Sequence, residues 1–373
     1  MNLLTLLLSF LFSAAVTVCM IPRIILISFK KKLFDTVDER KVHSGVVPRL
    51  GGVAFAPALV ISYALLYGLA TLIGNGIESS GVATQHLTLG LCALLILYLE
   101  GITDDLIGVG YKVKFAVQFI CAALVVASGI WINNLYGLFG IYELPAWVGM
   151  PLSLVVIVYV INAVNLIDGI DGLASGLSMV ALFFLGCLFA NMDNIVSASI
   201  SFAMLGALIP FFYFNVFGRA DRHNKIFMGD CGSQVVGFVL GLQAVWFCMD
   251  CQCTGVTSIV PNALVVAFSL LMIPCLDVVR VMLGRLRRGK NPFLPDKTHI
   301  HHKFLALGMS HRTAMLTILM IDAFFALLNM GLARVLDINI LLIGDIVIWC
   351  LMHIWISKMI VARERRKSEE KQE

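Results

Sequence analysis

Charge is scarce in this chain. Asp, Glu, Lys and Arg make up 13% of its 373 residues, against about a quarter in an ordinary soluble domain. Hydrophobic residues make up 60%, and the mean hydropathy is +0.93. A soluble core cannot hide that much apolar side chain, so lipid must solvate most of the chain. Long polar segments are also missing. The longest polar loops run to roughly 20–30 residues, too few for a core of their own, which excludes a second soluble domain. No internal repeat is visible. No basic stretch precedes the first apolar run, which is too long for a signal peptide and has its lysines after it. Ten cysteines are present, most of them single within apolar runs, where a small packing residue is the ordinary role. Only Cys248, Cys251 and Cys253 cluster. Their spacing is part of a metal site that lacks a fourth ligand, and a disulfide outside the membrane is the alternative.

What is there is a series of about eleven apolar runs, each near the ~20 residues that cross a bilayer. They lie near 3–29, 51–74, 87–102, 115–132, 148–163, 174–190, 195–214, 232–249, 260–283, 313–333 and 338–357. The chain therefore reads as an all-α polytopic transmembrane bundle. Its basic residues alternate in sidedness. One set of loops carries Lys30, Lys31, Lys32, Arg40, Lys41, Arg49, then Lys112 and Lys114, then Arg219, Arg222 and Lys225. The same side continues with Arg285, Arg287, Arg288, Lys290, Lys297, Lys303 and Arg312, and with the tail from Lys358 to Lys371. The loops at 75–86, 133–147, 191–194 and 250–259 contain no Lys or Arg. The positive-inside rule then predicts an outside N-terminus, a cytoplasmic C-terminus and an odd number of spans. Residues 1–358 form one transmembrane catalytic domain on this reading. Residues 359–373 form a mixed-charge cytoplasmic tail, frayed or lying on anionic lipid.

Polar motifs gather where the spans meet the basic side. Asp104 and Asp105 end the third span in GITDDLIGVGYKVK. Adjacent carboxylates repel unless a cation or a shared proton intervenes, although two solvated helix-end acids are the commoner case. Lys112 and Lys114 follow closely enough to hold a phosphate. The fifth span runs into INAVNLIDGIDGLASG, where Asn162, Asn165, Asp168 and Asp171 recur every third residue. On a straight helix that stripe drifts by roughly 60° per step, so all four cannot share a face. Gly169 and Gly172 predict a break in the helix, with the last acids on an irregular turn. Asp-Gly pairs make turns in any case, but two Asn and two Asp in so apolar a setting favour ligand binding.

A third segment, FNVFGRADRHNKIFMGDCGSQVVGF, places Asp230 between Gly229 and Gly232 at the start of the eighth span. Glycine admits close approach, and a helix N-terminus suits phosphate, though an N-cap is the plainer role for one carboxylate. Phe227 is an aromatic that can stack on a base or anchor the loop in the membrane interface. The fourth segment, GRLRRGKNPFLPDKTHIHHKF, carries Arg285, then His299, His301 and His302. It lacks the cysteines and helical histidine spacing of a zinc site, so a phosphate-binding strip fits it better. Positive-inside charge accounts for some of the arginines but not for three histidines in four residues. Within the spans, Asp277 has Arg280 one turn on and is expected to pair with it. Asp322 and Asp345 are read as neutral or hydrogen-bonded structural groups.

Clustered oxygen ligands favour Mg²⁺ or Mn²⁺, which bind through a few carboxylates plus substrate phosphates. Next to lipid, such a site suits phosphoryl transfer. The segments DD, NAVNLIDGIDG, FMGDCGS and HIHH, in that order, together resemble the polyprenyl-phosphate N-acetylhexosamine-1-phosphate transferases. The likeness runs from DERKVHSGVVPRLGG to HIHH, most of the chain. RKVH and RLRRGKNPFLPDKTHIHH look like the branch that uses a simple UDP-N-acetylhexosamine. The resemblance implies transfer of the hexosamine-1-phosphate, GlcNAc being commonest, to undecaprenyl phosphate with release of UMP. It implies that Asp104 deprotonates or orients the lipid phosphate with Asp105 beside it, and that Asp230 binds Mg²⁺. By motif match, Asn165, Asp168, Asp171, Asn215 and Phe227 hold the uridine, and Arg285, His299, His301 and His302 hold the sugar phosphates. Direct attack and a covalent aspartyl intermediate are both open. Relatives often dimerise, so a homodimer is open too, and no nucleic-acid partner is expected. A secondary transporter is the competing reading, but transporters place substrate near the midplane between internal repeats. A scaffold leaves the four motifs unexplained.

Overall fold

The computed structural model describes residues 2–33, 46–72, 81–253, 260–289 and 298–370. Arg40, Lys41, the DERKVH stretch, Lys290, Lys297 and Lys371 lie outside them, as do the side chains of Cys251 and Cys253. The described chain is almost wholly helical. In order come α1 (Asn2–Lys31), α2 (Phe55–Leu72), α3 (Gly81–Ile107), α4 (Tyr111–Ala127), a short hairpin of β1 (Asn134–Leu138) and β2 (Ile141–Glu143), and α5 (Ala146–Ile167). Then follow α6 (Leu173–Asn191), α7 (Ile195–Val216), α8 (Gly229–Cys253), α9 (Ala263–Ser269), α10 (Met272–Arg287), α11 (Ile300–Ala306), α12 (His311–Leu332) and α13 (Ile338–Glu369).

Among the described residues, nine helices are long and apolar enough to cross a membrane, and α9 with α10 passes the same test as a pair bent by 74°. The eleventh apolar run folds as α4, whose 17 residues reach about 25 Å, a little short of a ~30 Å hydrocarbon layer. The protein is a multi-pass membrane protein. Helix α8 is its axis: every residue from Cys231 to Met249 is buried, whereas the most apolar stretches of α1 and α13 are 28% buried and face outward. Small residues let neighbours approach α8 closely. A β-carbon on Gly237 would stand 2.7 Å from Ile161 Cα, and one on Gly232 would stand 2.7 Å from Gly52 Cα. Polar groups on α8 are used across helices: Gln243 donates to Ser197 O at 2.8 Å and to Ser201 Oγ at 3.0 Å on α7.

Two predictions at the chain's local level meet different outcomes. Helix α5 ends at Ile167 and α6 begins at Leu173, so the break predicted at Gly169 and Gly172 is there. Of the two expectations for the tail, fraying is not met through Glu369: the tail continues the 32-residue helix α13. At 1.5 Å per residue α13 is about 48 Å long and must project beyond the hydrocarbon. The expected ion pair of Asp277 with Arg280 is formed, at 2.6 Å. Asp345 accepts from Asn329 Nδ2 at 3.0 Å, and Cys248 is buried.

Candidate active site

The ends of α3, α4 and α8 meet around three carboxylates. Asp104 sits on the last turn of α3 and is 7% exposed. One of its oxygens accepts from Val109 N at 2.8 Å, and the other is ion-paired with Lys114 of α4. The same ammonium lies 3.2 Å from Asp230 Oδ2, on the first turn of α8. Asn165, near the end of α5, donates to Asp230 Oδ1 at 2.8 Å and to Ser233 Oγ at 2.7 Å. Asp104 and Asp230 thus share a single lysine, with an amide fixing the second carboxylate from behind. Lys112 is exposed and, two residues from Lys114, turns about 200° away from it along the helix. It takes no part in this side-chain cluster, which holds Lys114 alone of the predicted lysine pair.

The adjacent aspartates have separate tasks. Asp105 accepts from Asp230 N at 2.7 Å and from Cys231 N at 3.0 Å. It caps the N-terminus of α8, where unpaired amides need an acceptor. Both of its oxygens are so used, which makes it a group that holds Asp230 in place. Gly229 turns the chain into α8 with φ +75°, and a β-carbon there would overlap Arg49 O and approach Asp105. The Pro48–Gly52 segment lies alongside 226–228: Phe227 N donates to Pro48 O at 2.8 Å, Gly51 N to Phe227 O at 3.0 Å and Gly52 N to Met228 O at 2.8 Å. The GG of PRLGG is therefore required for backbone to pack on backbone beside Asp230.

The turn between α5 and α6 brings in the remaining acids. Asp168 is exposed to solvent as a residue, yet the protein around its carboxyl holds it above the ordinary carboxylate range. Asp171, Asp230 and Asp105 add to that shift, and Arg49 opposes it. Asp171 is ion-paired with Lys225, whose ammonium also lies 5.7 Å from the centroid of the Phe227 ring. Lys225 had counted only as positive-inside charge in the sequence; here it joins two predicted nucleotide-binding residues. Asn215 has a structural part that its motif position did not announce. It is 5% exposed, accepts from Gly172 N at 2.7 Å and donates to Ile226 O at 2.9 Å. Both ends of the amide tie the 168–172 turn to the extended 226–228 segment. Asn162 points deeper, donating to Gln118 Oε1 at 2.7 Å; Gln118 in turn donates to Gln234 Oε1 at 3.1 Å.

The histidine strip approaches from α11. Asp277 on α10, fully buried, accepts from Ile300 N at 3.0 Å and pairs with His299 Nδ1 at 2.9 Å. The His299 and His301 rings are stacked with centroids 5.9 Å apart, and the His302 ring lies 4.2 Å from that of His301. Burial holds His301 well below the usual histidine range, at about 3, and the His302 ring beside it acts in the same direction. A β-carbon on Gly169 would overlap the His301 imidazole, so the strip is packed directly against the 168–172 turn. Arg285, near the end of α10, is 6% exposed. The fold thus joins the acid pair, the turn and the histidines at one end of the bundle.

The donor set fits a hard divalent cation. Two carboxylates face one ammonium, and an octahedral Mg²⁺ site needs only one or two carboxylates when phosphate oxygens complete it. Among the described residues no three His, Cys, Asp or Glu side chains form a metal-binding group, so a preformed cage of the zinc type is not built here.

A lipid-embedded helical bundle with acids, a basic strip and close-packed glycines at one end defines a membrane enzyme of group transfer. Comparison with known proteins gives the particular class: the chain belongs to glycosyl transferase family 4, whose profile matches residues 87–248. It is 30% identical over 302 residues to an undecaprenyl-phosphate alpha-N-acetylglucosaminyl 1-phosphate transferase of Salmonella typhi, covering 80% of this chain and 76% of that one. A probable undecaprenyl-phosphate N-acetylglucosaminyl 1-phosphate transferase of Bacillus subtilis (strain 168) is 29% identical over 325 residues, 86% of this chain and 82% of that one. The Escherichia coli (strain K12) protein named as the Salmonella one is 28% identical over 299 residues, 80% and 76% of the two chains.

Proposed function

We propose that this protein transfers N-acetylglucosamine-1-phosphate from UDP-GlcNAc to undecaprenyl phosphate, releasing UMP and so starting a cell-envelope glycan. The observation that carries the reading is the Asp104–Lys114–Asp230 cluster, set beside the 168–172 turn and the histidine strip in a member of this family. The reaction lies in the cytoplasmic membrane with the site on the cytoplasmic face, because the loops at the site's end carry the basic residues.

Chemically, an oxygen of the lipid phosphate attacks the β-phosphorus of the nucleotide sugar. The bond from that phosphorus to the bridging oxygen breaks, and UMP leaves with the electron pair. Asp104, held by Val109 N and Lys114, orients the lipid phosphate and accepts its proton. Lys114 supplies one positive charge to the oxygens around the transferred phosphorus. Asp230 would hold Mg²⁺, which when bound neutralises charge on the diphosphate. Phe227, Lys225, Asp168 and Asp171 receive the uridine, and Arg285 with His299, His301 and His302 receives the sugar phosphates.

Purified protein with Mg²⁺, undecaprenyl phosphate and UDP-GlcNAc is expected to release one UMP per lipid product. No release with any UDP-N-acetylhexosamine would overturn the reading. Asp104→Asn is expected to lower turnover by at least about 100-fold; wild-type turnover at neutral pH would remove its role as base.

A further inference from the structure

We infer that Asp277 is the positioning residue of the histidine strip: it takes the Nδ1 proton of His299 and so commits the Nε2 edge of that ring to substrate phosphate. Asp277 belongs to none of the four family motifs and lies in the chain 22 residues before His299. It is nonetheless the hub of this corner. Its carboxylate accepts from His299 Nδ1 at 2.9 Å, from Ile300 N at 3.0 Å and 3.1 Å, and from Arg280 Nη2 at 2.6 Å and Nε at 3.2 Å. Arg280 also donates to Thr298 O, so both sides of His299 are tied to one carboxylate–guanidinium pair.

Charge and geometry together decide what this does to the ring. A neutral imidazole carries its proton on one nitrogen, and the partner of that nitrogen selects the tautomer. An ionised carboxylate accepts only, so Nδ1 of His299 must be the donor. Nε2 is then the ring atom left for a ligand: it accepts when the ring is neutral and donates when the ring is protonated. With both ring nitrogens protonated, Nε2–H donates to a phosphate oxygen as charge builds on the departing nucleotide phosphate. The contacts to Ile300 N and Thr298 O fix where α11 starts, and through the His299–His301 stack they fix the ring that Gly169 packs against.

The test has one arm that stands without the proposed activity and one that rests on it. In protein labelled with ¹⁵N-histidine, His299 is expected to show a protonated Nδ1 near neutral pH. In Asp277→Asn the side-chain amide can donate to the ring, and the signal is expected to move to an unprotonated Nδ1 with the proton on Nε2. A wild-type His299 with an unprotonated Nδ1 overturns the inference, whether or not any variant folds and whether or not the sugar donor is the one proposed. In the kinetic arm, Asp277→Asn is expected to lower kcat about 10- to 100-fold with KM for UDP-GlcNAc changed less than about threefold. In a His299→Gln background the same substitution is expected to cost less than about threefold, because the two residues act as a unit. Equal losses in both backgrounds overturn the inference. Absence of UMP release by the wild-type protein would count against the proposed function and leave the NMR arm to decide on Asp277.

Discussion

Gly169 lies against the imidazole of His301, so close that a β-carbon on the glycine would overlap Cε1 and Nε2 of the ring. The contact joins the acidic turn after α5 to the histidine strip on α11, two segments more than a hundred residues apart in the chain. Gly169→Ala is expected to push His301 aside and lower UMP release about 100-fold, the scale of a catalytic group misplaced by about 1 Å. Gly331→Ala is the control. It lies on α12 with nothing within 4 Å of the added carbon, and it is expected to stay within about twofold of wild type. Equal activities for the two variants would show that the contact is immaterial.

Asp104 and Asp105 are expected to separate when each is replaced by alanine. Asp105 caps α8 through the amides of Asp230 and Cys231, so Asp105→Ala should lower thermal stability by the ~1–2 kcal/mol typical of a lost cap. Asp104 faces Asp230 across Lys114. Asp104→Ala should abolish turnover with little change in melting temperature. A matched loss of stability in both variants would contradict this division.

The separation also marks what the sequence could convey. Apolar runs alone located every spanning helix, because the lipid demands ~20 apolar residues whatever else the protein does. The break after α5 was legible because two Asp-Gly steps cannot continue an amphipathic stripe. The task of Asp105 was not, since adjacency in sequence suggests a shared role while successive residues on a helix point about 100° apart. The partners of Asn215 were not legible either: its amide joins Gly172 N to Ile226 O, 43 and 11 residues away in the chain. Lys225 and Asp277 act through partners 54 and 22 residues away, and no local pattern reports such a distance. The helical tail was missed through its mixed charge, although Arg365 with Glu369 and Arg366 with Glu370 stand at the i,i+4 spacing that supports a helix.

Metal dependence should follow from the charge count at the acid pair. Asp104 and Asp230 have one ammonium between them, and substrate brings further negative charge. Chelation is expected to abolish UMP release and added Mg²⁺ to restore it. Asp230→Asn should raise the Mg²⁺ concentration for half-maximal activity at least about tenfold, since a carboxylate is exchanged for a neutral oxygen ligand. Unchanged Mg²⁺ dependence in that variant would remove Asp230 from the metal.

His301 is expected to make the protein acid-sensitive. It is 2% exposed, its Nδ1 is sealed without a partner, and burial followed by the neighbouring His302 lowers it to about 3. An unfolded histidine titrates near 6.5. Above about pH 6.5 both states leave the ring neutral and the histidine adds no pH dependence. As pH falls below that value the unfolded chain binds a proton that the folded protein refuses, so stability drops until about pH 3. At pH 5 the gap of about 1.5 pH units from the unfolded value corresponds to on the order of 2 kcal/mol. His301→Gln removes the titrating ring. Its melting temperature should therefore fall a few degrees less than that of the wild type between pH 7.5 and pH 5. Parallel curves for the two proteins would show that His301 is already protonated in the folded state, in contact with an anion that shares its pocket.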